Sequence, residues 1–338
     1  MKIIECVPNF SEGRRSETFD AMSLAVKDIP NVKLLSLEPD ADYNRVVVTL
    51  AGDDKGILDG AVAISRAAAQ SIDMRLHKGE HPRLGAIDVV PFVPVRNATM
   101  EECVRLSEQY AKIISEDLDV PVYLYEEAAR RPERRTLANI RKGEYEGLEE
   151  KLKSDLWKPD YGTCNFNEKL GAIVTGARFF LIAYNVNLKT PDISYAKEIS
   201  ERLRESGRPK RDENGNVVKE NGVTVRIPGR LRTVQAMGVY LEKYNITQVS
   251  MNLKNYNAVS LHQAFEEVKE EAARMGIETD GSEIVGLVPL EALIKAGEFY
   301  AGPTMDSEET LVNIAIDRLG LSTLNPFSAH NKIIDYMI

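Results

Sequence analysis

Two of the four histidines fall within one short string, Arg75-Leu76-His77-Lys78-Gly79-Glu80-His81-Pro82-Arg83. An imidazole titrates near neutral pH, so a loop histidine is suited to accept one proton and deliver another. His77-Lys78-Gly79-Glu80-His81 also spells the H-x-x-E-H string of inverted zinc peptidases. That chemistry needs both rings on one face of a continuous helix. Gly79 weakens such a helix, and Pro82 biases His81 to extended backbone. The string therefore reads as a loop carrying proton-transfer groups, and no metal is expected. The bland alternative is a pair of surface histidines satisfied in a turn. Lys78, Glu80 and Arg83 beside the rings, in a Gly- and Pro-rich loop between a helix and a strand, favour a site.

Two further loops carry polar groups. In Val7-Pro8-Asn9-Phe10-Ser11-Glu12-Gly13, Asn9 and Ser11 either point into a site at a strand end or merely build a turn and helix cap. Asp40-Ala41-Asp42-Tyr43-Asn44-Arg45 links two strands. It offers a carboxylate to orient a histidine and Arg45 to hold an anion, or it is a plain polar turn. No Gly-rich phosphate loop follows a strand, and no G-x-S-x-G elbow occurs. Cys6, Cys103 and Cys164 are odd in number and widely spaced. Neither a disulfide scaffold nor a zinc ribbon fits them, and a reducing compartment does.

These loops need a frame. Apolar runs predict strands at Ile3 to Val7, Val32 to Leu37, Asn44 to Leu50, Ala86 to Val95 and Val120 to Tyr125. Helices are predicted at Ser16 to Lys27, from Asp53 to about Ile72, and after the Thr99 cap. Pro91 and Pro94 predict that the Ala86 to Val95 strand lies at an edge or ends early. A polar stretch from Gly143 to Gly171 reads as a long functional loop or linker. Arg178 to Tyr184 then opens a buried strand, part of a Phe179 to Val186 run. The second half repeats the order strand, helix, strand, strand, helix, strand: Ile193 to Glu205 and Leu261 to Met275 are its helices, and Ile284 to Val288 its last strand. The fold class is α/β of the α+β type. It comprises two tandem subdomains of split βαβ order, residues 1–180 and 181–338, with helices on one face of each sheet and the sheets facing each other. The Pro209 to Pro228 insertion, with two Asn-Gly pairs, predicts an exposed hairpin or loop.

The 338 residues carry a net charge of −9 and 43% hydrophobic residues. That acidity argues against general nucleic-acid binding, though not against a local basic cleft. The most apolar window, Ala172 to Leu188, is broken by Arg178 and falls short of the roughly 18 residues of a membrane span. No signal peptide opens the chain, and a cytoplasmic protein is expected.

Several strings together resemble the glutamate formimidoyltransferase family, the formiminotransferase part of animal formimidoyltransferase-cyclodeaminases. They are Glu5 to Gly13, His77 to Ala86, Asp119 to Tyr125, Gly171 to Arg178, Val285 to Leu290 and Pro326-Phe327-Ser328, in order over nearly the whole chain. The resemblance implies transfer of the formimino group from N-formimidoyl-L-glutamate to tetrahydrofolate, giving 5-formimidoyltetrahydrofolate and L-glutamate in histidine degradation. It implies a homodimer with tetrahydrofolate as co-substrate and His81 as the catalytic residue. It implies a folate-binding stretch of Gly162, Thr163, Cys164, Asn165, Phe166, Asn167, Glu168, Lys169, Leu170 and Gly171. Asn9, Ser11, Glu38, Asp40, Arg45, His77, Arg83 and Arg178 are expected to bind or orient substrate. The alternatives are a formyltransferase acting between 5-formyltetrahydrofolate and glutamate, or a folate-binding protein without turnover. The sequence departs from the animal pattern in several places. No cyclodeaminase part is expected, the 209–228 insertion is extra, and Glu38 stands where the animal enzyme has Asp. Residues 163–169 also differ in detail. Asp40 or Asp42 is therefore a second candidate to orient His81.

Overall fold

The N-terminal apolar run forms β1 (Ile3–Cys6), and a short β2 (Asn9–Phe10) follows, in a computed structural model that describes residues 1–302 and 307–338. Backbone contacts divide the chain into two units, residues 1–178 and 179–337. In the first unit the order continues α1 (Ser16–Val26), β3 (Val32–Asp40), β4 (Arg45–Gly52), α2 (Asp54–Ser71), β5 (Ile87–Arg96), α3 (Met100–Leu118), β6 (Val122–Glu126), α4 (Leu137–Arg141), α5 (Leu148–Leu152) and β7 (Ile173–Ala177). Capping fixes where the long helices start. Asp53 accepts the Gly56 N–H ahead of α2, and Thr99 with Glu102 forms a capping box ahead of α3.

The sheet of this unit runs β3, β4, then β1 and β2 as one interrupted strand, then β5, β7 and β6. β5, β7 and β6 are parallel, and the other pairs are antiparallel. One face buries Ile4, Cys6, Val46, Val48, Leu50, Val90, Phe92, Val122 and Leu124 against α1, α2 and α3. The second face is partly covered as well. α4 and α5 bring Ile140, Leu148 and Leu152 onto Val89, Tyr123, Tyr125 and Val174. Helices on one face alone had been the expectation for this sheet.

Two other expectations fail for identifiable reasons. β5 is a central strand, not an edge, despite its prolines. Pro91 lies where β1 breaks from β2, and its carbonyl accepts the Val7 N–H. Pro94 pairs with Ile4 beside a register shift. Both prolines thus occupy irregular points of the ladder where a missing N–H costs little. The strand predicted at Phe179 to Val186 begins later, as β8 (Ile182–Leu188) of the second unit, and β7, ending at Ala177, is a separate strand ahead of it.

The second unit continues with α6 (Ile193–Leu203), four two-residue strands, and then the longer elements. The short strands are β9 (Arg208–Pro209), β10 (Lys219–Glu220), β11 (Val223–Thr224) and β12 (Arg226–Ile227). β12 pairs β9 and β10 pairs β11, so the insertion is an exposed hairpin turning at Asn221-Gly222. Then come β13 (Val234–Leu241), β14 (Ile246–Leu253), α7 (Leu261–Arg274), β15 (Thr279–Val285), α8 (Leu290–Ala301) and α9 (Glu308–Leu319). The predicted strand at Ile284 to Val288 thus begins earlier, at Thr279. The antiparallel sheet runs β13-β14-β8-β15, with α6 and α7 packed against it. Among the described residues, no helix is long and apolar enough to cross a membrane.

Candidate active site

Residues 77–86 form a loop with no helix in it, so the geometry a H-x-x-E-H metal site requires is absent. Asn44 holds this loop in place. It adopts a left-handed backbone (φ 49°) at the end of the β3–β4 hairpin and is buried. Its Oδ1 accepts the Gly13 N–H at 2.9 Å, and its Nδ2 donates to the Lys78 carbonyl at 2.9 Å. Its own carbonyl lies 3.0 Å from His77 Nε2, which therefore carries the proton and donates. Gly79 packs on the same turn, where a Cβ would come within 2.5 Å of the Tyr43 carbonyl oxygen. One buried asparagine thus joins the 9–13 loop, the 40–45 turn and the histidine loop.

His77 is committed to this scaffold. Its Nε2 serves Asn44, and its Nδ1 accepts from Arg83 Nε at 3.4 Å. Burial holds its basicity below the usual histidine range. Arg83 in turn is buried and forked by two carboxylates, Glu144 at 2.9 Å and Glu146 at 2.6 Å. The expected role of Arg83 in drawing anions is thus largely cancelled by its neighbours. His77 lies between a cavity of about 340 Å³ lined by Ser11, Arg14 and Asn44 and a cleft of about 570 Å³ lined by Lys78, Glu80 and Glu146.

His81 is half-buried, and Arg45 Nη1 lies 2.9 Å from its Nε2. A guanidinium only donates, so Nε2 is the acceptor and the neutral ring carries its proton on Nδ1. The Tyr43 ring meets the imidazole edge-on at 6.4 Å between centroids. Burial first, and then the charges of Arg45, Arg141 and Arg83 with His77, push His81 down to about 4. A shuttle poised near neutrality, as the sequence suggests, is therefore not what the free protein holds. The reason is burial of the imidazole, reinforced by the cations that bear on it.

No carboxylate orients His81 among the described residues. Glu38 is exposed on β3, opposite Val47. Asp40 Oδ1 accepts the N–H groups of Asp42 and Tyr43 and so shapes the turn. Ser11 donates from its hydroxyl to the Gly85 carbonyl at 2.8 Å, and Asn9 donates to the Val7 carbonyl. Each side chain thus gives one donor to the backbone.

The 162–171 segment is strapped to the histidine loop. Met74 N–H reaches the Lys169 carbonyl, Ala86 N–H the Leu170 carbonyl, and Ala172 N–H the Leu84 carbonyl. Gly85 and Gly171 bridge so closely that a Cβ on Gly85 would lie 2.3 Å from the Leu170 carbonyl oxygen. Gly162, Thr163, Cys164 and Asn165 are exposed, and Thr163 Oγ1 accepts the Asn165 N–H. Phe166 packs on Tyr145 at 5.4 Å. Asn167 pins the turn by donating to the Leu118 and Asp119 carbonyls and accepting the Leu170 N–H. The Glu168 carbonyl accepts from Tyr145, and Lys169 Nζ donates to the Gln70 carbonyl.

Sequence reasoning passed over three charged groups here, Asp88, Arg141 and Glu5. Asp88 is buried in β5, accepts the Leu84 N–H at 2.8 Å and pairs with Arg141. Glu5 is buried in β1, where Arg178 bears on it electrostatically. A charge inside an otherwise apolar strand was the available signal for Asp88 and Glu5. Burial pushes Glu5 up to about 7, and Arg178 pulls the other way. A carboxyl raised in the fold stabilises fully below its unfolded pKa near 4.5, and that contribution is lost as pH rises toward 7. Between pH 5 and pH 8, wild type is thus expected to lose about 1–3 kcal/mol relative to Glu5→Gln in chemical denaturation. A Glu5→Gln difference that is the same at both pH values excludes this.

Residues 3–178 match the family model "Formiminotransferase domain, N-terminal subdomain", and residues 183–338 match "Formiminotransferase domain". The chain is 46% identical over 340 residues to formimidoyltransferase-cyclodeaminase of Dictyostelium discoideum, covering all of this chain and 60% of that protein. It is 44% identical to glutamate formimidoyltransferase of Streptococcus pyogenes serotype M1, covering 88% of this chain and 93% of the relative. It is 43% identical to the Thermoplasma acidophilum protein of the same name, covering 89% and 92%. The chain thus spans about 60% of the length of the formimidoyltransferase-cyclodeaminases it matches.

Proposed function

Because this chain belongs to the formiminotransferase family over both of its units, we propose that it moves the formimino group of N-formimidoyl-L-glutamate to tetrahydrofolate. The products are 5-formimidoyltetrahydrofolate and L-glutamate, a step of histidine degradation. The observation that carries this reading is the placement of His81: a half-buried, neutral imidazole in a loop hydrogen-bonded to the 162–171 segment. Folate N5 attacks the amidine carbon and gives up its proton to His81 Nε2. The bond from that carbon to the glutamate nitrogen then breaks, and the same proton passes to the departing nitrogen. A ring with depressed basicity holds the proton only briefly, which suits its delivery to an amine leaving group.

In this reading residues 1–180 carry the histidine and folate loops, and residues 181–338 form the second subdomain. The exposed 162–165 turn and the Phe166–Tyr145 ring pair contact folate. Arg45 and Arg178 serve carboxylates. The resemblance also supports a homodimer. The free thiols Cys6, Cys103 and Cys164 suit a cytoplasmic location.

The deciding assay mixes purified protein with tetrahydrofolate and either the formimino or the formyl donor. Formimino turnover well above formyl turnover is the expected result. The reverse preference selects the formyltransferase, and folate binding without product from either donor selects a binding protein.

A further inference from the structure

Three guanidiniums surround His81, and they differ in one respect. Arg141 is paired with Asp88, and Arg83 is paired with Glu144 and Glu146. Among the described residues, Arg45 alone of the three forms no ion pair with a carboxylate, although buried Asp88 bears on it electrostatically. Asp40 sits opposite it in register across the β3–β4 hairpin, but Asp40 Oδ1 is taken by two backbone N–H groups. Arg45 Nη1 instead donates to His81 Nε2, and Arg45 Nε is buried without a partner. A cation with one N–H on a neutral nitrogen and another unpaired is incompletely satisfied. A carboxylate satisfies it better, because it accepts two parallel N–H bonds and supplies the opposite charge. The same contact fills the Nε2 lone pair, so His81 has no open acceptor there while Arg45 stays.

We infer that Arg45 is a substrate-displaced cover on His81: a donor carboxylate draws the guanidinium off Nε2 and so opens the atom that must accept the folate proton. This rests on the transfer reaction proposed above. No proton moves in the exchange. Arg45 stays protonated, its N–H···N bond is replaced by N–H···O bonds, and Nε2 is left with a free lone pair. The ring also becomes more basic, since an ion-paired Arg45 no longer repels a proton there. Arg141, Arg83 and His77 still face the ring after the exchange, as does the Tyr43 edge. Arg45 is thereby a positioning residue for His81 as well as a carboxylate ligand. Proton acceptance is tied to donor occupancy, and His81 in the empty site is guarded from unproductive protonation.

The test follows His81 in the full chain by long-range proton–nitrogen correlation of the imidazole across a pH series. L-glutamate and N-formimidoyl-L-glutamate are the probes. In wild type either probe should raise the His81 midpoint by about one unit, a tenfold change in protonation. In Arg45→Gln the midpoint should start about as high and respond to neither probe. Arg45→Lys, which keeps the charge but not the fork, should recover part of the response. A wild-type midpoint unmoved by both probes overturns the inference. So does an Arg45→Gln protein with the full wild-type response. The readout needs no turnover. Ligand-dependent shifts without formimino transfer would keep the cover and reject the reaction, and transfer without shifts would do the opposite.

Discussion

Replacing His81 by alanine is expected to lower formimino transfer by a factor on the order of 10²–10⁴, the usual contribution of one general acid–base group. Folding should be little affected. The ring is half-buried, and among the described residues its one side-chain hydrogen bond is to Arg45. Folate affinity should hold within about threefold, because the 162–171 segment is tied to the loop by backbone groups that the substitution leaves in place. The pH profile supplies an independent check. In kcat/KM the acid limb reports the free protein and should fall near 4, where burial and the surrounding cations hold His81. In kcat the limb reports the occupied site and should lie higher. An alanine variant with near-normal turnover and an unchanged melting curve would remove His81 from the mechanism.

The second large effect concerns stability. The side chains of Arg134 and Asp160 are both buried and lie 2.6 Å apart, and Asp160 also accepts the Leu124 N–H at 2.9 Å. Arg134 donates to the Leu156 and Lys158 carbonyls and stacks over the Tyr123 ring at 5.1 Å. The pair nails the 155–160 stretch to β6, directly ahead of the 162–171 segment. Asp160→Ala strands a buried guanidinium and is expected to cost about 3–5 kcal/mol in chemical denaturation. Replacing both partners by apolar residues of similar volume should recover much of that loss. Where Asp160→Ala stays folded at low temperature, the KM for tetrahydrofolate should rise more than the KM for the donor. A loss below about 1 kcal/mol would mean that the pair is solvated and not structural.

The sequence makes the loops easier to read than their chemistry. The 77–85 loop is marked by Gly79, Pro82 and two histidines, and the helix starts by Asp53 and Thr99, because local residue types decide both. The bounds of β7 and β8 are less legible. Arg178 breaks the apolar window, but where the strand on either side of it starts and stops is set by its pairing partners. Pro91 and Pro94 mislead for a related reason, since the gap between β1 and β2 that absorbs Pro91 is a tertiary feature. Asn44 is inconspicuous in a polar turn, and its three connections all reach across 31 or more residues. The basicity of His81 is the largest miss. Histidine and arginine were both seen, but Arg45 was expected to face substrate, and nothing local says that it meets the imidazole first.

The order in which strands enter the first sheet has a consequence for biosynthesis. β7 is the last strand of its unit to be made, yet it is inserted between β5 and β6. Until residues 173–177 leave the ribosome, β6 has no sheet neighbour, and the long edge of β5 stands open to any other extended chain. The unit therefore cannot close vectorially from its N-terminus. It waits for a strand that lies directly before the next unit begins, and β8 follows within a few residues. Closure of one unit and the start of the next are nearly simultaneous events on the nascent chain. A pause in translation just before residue 173 would leave the largest amount of unpaired strand exposed at any point in synthesis of this unit.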